Sequence, residues 1–193
     1  MPQHAHRRLL AALPLVAALA VMMPAHTARG QDIMDAKTAG FLRDKYVTDM
    51  DTVHAKIMAL AVAIPEDKYS WRPTAGVRSV SEVLMHLASE WMYYTPMSVG
   101  GKPPADFGPP RETLPKMETI TAKRDVLAQL EKGWSYGRAQ LTSADATALT
   151  GKYAPWNVSL ADAAFGMTGD QHEHLGQLIA YARSVGVKPP WTK

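Results

Sequence analysis

The stretch GDQHEHLGQLIAYARSVG, residues 169–186, sets Asp170, His172 and His174 just ahead of an apolar run. Imidazole and carboxylate are the donors left for a divalent metal in a chain without cysteine, and this chain has none. A helix turns about 100° per residue, so residues four apart share a face and residues two apart point nearly opposite ways. Asp170 and His174 therefore share a stripe with Ala163, Met167, Gln177, Leu178 and Tyr181. His172 points away, beside Glu173. The stripe is expected to face the core, where an unpaired carboxylate would cost several kcal/mol. Asp170 thus needs a metal, a protonated histidine or water.

A metal needs a third ligand. A second helical seam reads Val83, His86, Glu90, Tyr94 and Met97, which turns His86 inward with Glu90 one turn later. His54, at the edge of another stripe, is a weaker candidate. His86, Asp170 and His174 would form a two-histidine, one-carboxylate set drawn from facing helices, with positions open for water or substrate. Glu90 is the candidate general base or extra ligand. A metal-free arrangement fits the same residues, with the histidines satisfied by Asp170, Glu90 or a backbone carbonyl. Gln177 and Tyr181, further along the stripe, are expected to be packing residues.

Four helical patterns position these groups. Tyr46, Met50, Val53, Ile57, Leu60 and Ile64 recur at steps of three and four up to Pro65. Ser79 and Glu82 open the second helix as a capping box, and it runs to about Ser98. The third spans roughly Thr119–Leu141, with Ile120, Leu127, Leu130, Trp134 and Leu141 on one side. The fourth starts at Ser159–Asp162 and ends with Arg183 in its last turn and Gly186 beyond it. No convincing strand alternation appears. Segment 100–115 carries five prolines and three glycines, which argues against a regular element there. A connection that long can cross the end of a bundle and let helices two and three run parallel. The fold class expected is all-α, a four-helix bundle.

Residues 1–30 read as a cleaved secretory signal peptide: MPQHAHRR, then the apolar LLAALPLVAALAVMM, then small residues at Ala28 and Gly30. The apolar run of 15 residues falls short of the roughly 20 needed to span a bilayer. Residues 31–193 form one domain, expected to work in the periplasm or outside the cell. The chain holds 21 basic and 18 acidic residues, but Arg7, Arg8 and Arg29 lie in the leader, which has no acid. The domain is therefore balanced, which gives no support for nucleic-acid binding. No membrane span is expected after the leader.

SVSEVLMHLA (79–88), the PT of WRPTAGVRS before it, HLGQLIAYAR (174–183) and the closing GVKPPW resemble the DinB-like superfamily of metal-binding four-helix bundles. The resemblance implies an up-down-down-up bundle with a long crossover between helices two and three. It further implies a divalent metal (zinc, manganese, iron or nickel), homodimers, and thiol-using transferases or isomerases among characterised members. By position, His86 matches the helix-two ligand and His174 the second histidine of the helix-four pair. Asp170 stands where that pair's first histidine falls, a departure that keeps a ligand and adds negative charge. Export sits poorly with cytoplasmic thiol cosubstrates.

Two kinds of function follow. One is a metal-dependent hydrolase or transferase acting on a small molecule, with the metal as Lewis acid. The other is a non-catalytic small-ligand-binding or dimerisation module with a degenerate metal site. Trp71, Trp91, Tyr93, Tyr94, Trp134 and Trp156 could line a pocket or simply fill the core.

Overall fold

The computed structural model describes residues 34–153 and 156–192. The leader and its cleavage position lie outside the described residues. The chain is mostly helical: α1 (Ala36–Ala63), α2 (Val80–Met92), α3 (Tyr94–Met97), α4 (Pro110–Met117), α5 (Lys123–Ser143) and α6 (Leu160–Ser184). No helix among the described residues is long and apolar enough to cross a membrane.

Local chemistry sets the helix ends. Asp35 caps α1 by accepting from the Thr38 N–H at 2.7 Å. Both expected capping boxes are present, Ser79 with Glu82 and Ser159 with Asp162. At the end of α6, Gly186 takes a φ of 81°. There the Val187 N–H reaches the Ala182 carbonyl and the Gly186 N–H that of Arg183. This is a Schellman closure, which a residue with a Cβ would strain.

Four expectations need correction. Segment 100–115 does contain a regular element, because α4 begins at Pro110. Proline at the first helical position lacks only an N–H that would be orphaned anyway, so Pro109–Pro110 start this helix rather than bar it. The segment is also anchored, with Phe107 buried and stacked on Tyr93. α2 stops at Met92 instead of Ser98, and α5 starts at Lys123 instead of Thr119. Finally, two-residue strands, β1 (Lys152–Tyr153) and β2 (Val158–Ser159), pair antiparallel just before α6.

Three packed interfaces define how the long helices run. α1 and α5 are antiparallel: Lys123 Nζ donates to the Val62 and Ile64 carbonyls, Arg138 pairs with Asp51, and Arg43 donates to the Ala144 carbonyl. α2 and α6 are antiparallel, since Arg78, His86 and Glu90 meet Tyr181, His174 and Gln171. α2 and α5 run parallel and almost touch. A Cβ on Gly133 would lie 2.6 Å from the Ala88 carbonyl oxygen, and one on Gly137 would lie 2.5 Å from that of Trp91. Only glycine permits this approach. The α1 seam, Tyr46, Met50, Val53, Ile57, Leu60 and Ile64, is buried as its spacing predicts.

Candidate metal centre

α2 and α6 each contribute two side chains one turn apart, His86 and Glu90 from one, Asp170 and His174 from the other. One donor atom each from His86, Glu90 and His174 lies within 4.8 Å of the others. His86 Nε2 is 3.1 Å from Glu90 Oε1, and the two imidazole rings meet edge to face at 5.0 Å. Asp170 sits at the rim, its Oδ1 3.7 Å from His174 Nε2. Its carboxylate is about two-fifths exposed, so it is not the core residue that the seam Ala163–Met167–Asp170–His174 implied. The buried line of α6 runs instead through Ala164, Met167, Gln171, Leu175 and Leu178. The expected stripe lies to one side of it. One of its oxygens, Oδ2, is nonetheless buried.

Two hydrogen-bond chains aim the donors. Tyr181 OH donates to the Arg78 carbonyl at 3.1 Å, and so accepts from Gln177 Nε2 at 2.9 Å. That fixes the amide with Oε1 toward His174 Nδ1, 3.0 Å away. An amide oxygen only accepts, so His174 carries its proton on Nδ1 and presents the Nε2 lone pair to the cluster. Gln177 and Tyr181 are thus orienting groups, not mere packing. The second chain starts at the Trp91 indole N–H, a pure donor, which reaches Gln171 Oε1 at 2.7 Å. Gln171 Nε2 must then donate to Glu90 Oε2, at 2.8 Å. Glu90 is held as an acceptor with Oε1 left for the cluster.

The electrostatics follow from this crowding. Burial alone would raise the Glu90 carboxyl, but the His86 contact and its charge hold it below the usual carboxylate range. Burial also opposes the His86 cation, yet Glu90 outweighs it and moves that imidazole upward. Asp170 is pushed up to about 7, first by burial and then by the neighbouring Glu90 carboxylate. Two carboxylates this close favour a cation between them.

Other residues stand elsewhere. His172 points away from the cluster and pairs with Asp49 on α1, its Nε2 3.0 Å from Oδ2. His54 packs between Trp134, stacked at 4.5 Å, and Trp91, edge-on at 5.2 Å. Burial lowers it to about 4, so it stays neutral at ordinary pH. Sequence reasoning missed Gln171, Glu118 and Arg78. Glu118, the C-cap of α4, brings Oε1 to 3.2 Å from His86 Nδ1 and is held by Arg78 Nε at 3.0 Å. No helical spacing connects residue 118 with residue 86, so only the fold could find it. Gln171 was findable: it lies four residues from Met167 and from Leu175 on the same apolar line.

A divalent metal fits these donors on the structure's own terms. Two imidazoles and the Glu90 carboxylate converge with Asp170 at the rim, and two buried atoms, Asp170 Oδ2 and His86 Nδ1, have no aligned hydrogen-bond partner among the described residues. Such a set suits zinc, manganese, iron or nickel.

No curated protein and no solved structure matches this chain. The family model of the DinB superfamily matches residues 49–178, a span that includes His86, Glu90, Asp170 and His174. The chain belongs to the DinB superfamily.

Proposed function

We propose that this protein binds a divalent metal through His86, Glu90 and His174, with Asp170 as fourth donor or as partner of a coordinated water, and uses it in hydrolysis or group transfer on a small molecule. The observation that carries the reading is the His174–Gln177–Tyr181 chain, which leaves an imidazole lone pair facing Glu90 and His86. Orientation of this kind is what metal-ligating histidines need. A metal held there supplies Lewis-acid polarisation of a substrate oxygen or of water. The chain's own part is positional. Gln171 keeps Glu90 turned inward, Gln177 keeps His174 in its ligating tautomer, and Asp170 offers a half-exposed carboxylate for proton transfer at the rim.

The pairwise helix directions support reading α1, α2, α5 and α6 as one up-down-down-up bundle, with residues 93–122 as the crossover. We place the protein outside the inner membrane on the strength of the leader sequence in residues 1–30.

The test is elemental analysis of the purified protein beside a His86→Ala/His174→Ala double variant. Near-stoichiometric metal in the parent, lost in a variant of unchanged helicity, is expected. Equal metal in both, or none in either after reconstitution, would overturn the proposal.

A further inference from the structure

A second concavity lies on the other side of α6. Leu42, Tyr46, Leu149, Ala161, Ala164 and Phe165 line a half-open, mostly apolar pocket of about 200 Å³ between α1 and α6. It follows the face of α6 that bears Phe165, Thr168 and His172, away from Asp170 and His174. The His172–Asp49 contact stands beside it, with Asp49 on the wall.

Size narrows the occupant. Drug-sized ligands use pockets of about 300–1,000 Å³, whereas a dry apolar cavity of about 150 Å³ takes benzene. A space of about 200 Å³ therefore suits one aromatic ring and little more. Phe165, two-thirds exposed, offers a ring to pack on it. Charge narrows it further. Lys45 lines the cavity from α1, and its Nζ hovers 5.5 Å from the exposed Phe41 ring. The carboxylates beside it in sequence are already engaged, Asp44 by Arg43 and Asp49 by His172. Lys45 thus has no carboxylate partner among the described residues. Across the groove, Thr168 adds a hydroxyl.

We propose that this groove binds a small aryl carboxylic acid, its ring in the α1–α6 cavity against Phe165 and its carboxylate between Lys45 and Thr168. The site is independent of the metal centre. None of its residues contributes to the His86–Glu90–His174 cluster.

Phenylacetate and phenethylamine, which share a ring and differ in charge, are the probes, titrated calorimetrically into the purified protein. Phenylacetate is expected to bind about tenfold more tightly, the scale of one charge-assisted contact at a partly exposed site. Lys45→Met should erase that preference. Ala164→Phe should fill the cavity and abolish binding with helicity and metal content unchanged, and Ala161→Leu repeats the test if Ala164→Phe loses helicity. Binding should persist after chelation, which separates this site from the metal centre. Equal binding of the two probes, no binding at about 10 mM, or unchanged binding in a folded Ala164→Phe variant would overturn the proposal. So would a dimer that Phe165→Ser dissolves and that phenylacetate leaves intact, since the groove would then be occupied by a second copy.

Discussion

α2 is packed differently on its two sides. Toward α5 its backbone is in near contact with Gly133 and Gly137. Toward α6 the helices meet through His86, Glu90, Trp91, Gln171 and His174, a layer of paired and incompletely paired polar atoms. Close approach on one side leaves α2 little freedom to shift. That rigidity lets the other side hold strained electrostatics without collapsing around them. Stability and chemistry are thus divided between opposite faces of one helix.

The strongest way to break this division is to crowd the close side. Gly137→Val is expected to cost about 3 kcal/mol, the upper end of overpacking penalties, because a Cβ meets the rigid Trp91 carbonyl. It should also weaken metal binding by shifting Glu90. The control is Gly176→Ala on exposed α6, where nothing lies within 4 Å of an added Cβ. That change should gain about 0.5–1 kcal/mol from helix propensity. Urea unfolding of both variants checks the contrast. Equal effects would mean that the α2–α5 approach constrains nothing.

The next test works from the polar side. Gln177→Leu removes the acceptor that fixes the His174 tautomer. Metal affinity should fall about 10–100-fold with little change in metal-free stability, because only orientation is lost. Competition with a chromophoric chelator measures it. Gln177→Glu keeps the acceptor and should restore most of the affinity. If the leucine variant binds metal like the parent, the chain to Arg78 has no part in the site.

The two sides were not equally readable from sequence. The α1 seam and both capping boxes follow from spacing and hydroxyl–carboxylate offsets, which are local rules. Helical period alone turns His86 and His174 inward. The stripe through Asp170 and His174 lies to one side of the buried line, which includes Gln171 because its amide is bonded to Trp91 and Glu90. The glycines of α5 gave no apolar signal, although they mark its tightest contact. Glu118 reaches His86 only because α4 returns to the side of α2, and no local pattern encodes that return.

His54 sharpens the comparison because it is a histidine on the close-packed side. Burial against Trp91 and Trp134 lowers it to about 4, while the unfolded chain titrates near 6.5. Between those values the unfolded state binds the extra proton, so stability rises with pH across the window and is lost as pH falls through it. His54→Phe should flatten that part of the stability–pH curve and leave metal affinity unchanged. Urea midpoints at pH 4.5, 5.5 and 6.5 would show it. An unaltered slope would mean that His54 is protonated in the fold.

The smallest effect belongs to His172, the histidine nearest the site in sequence and the one turned from it. Its pair with Asp49 is about half-exposed on the histidine side, and such surface pairs contribute about 0–1 kcal/mol. His172→Ala should therefore lower stability by less than about 1 kcal/mol, and metal content should not change. The decisive reading is the ratio of losses in His172→Ala and His174→Ala. They lie two positions apart, and a helix turns about 200° in that distance. Metal lost only from the second variant would show that helical phase, and not nearness in sequence, selects the ligand. Equal loss from both would mean that α6 is rotated and that the site uses the face bearing His172.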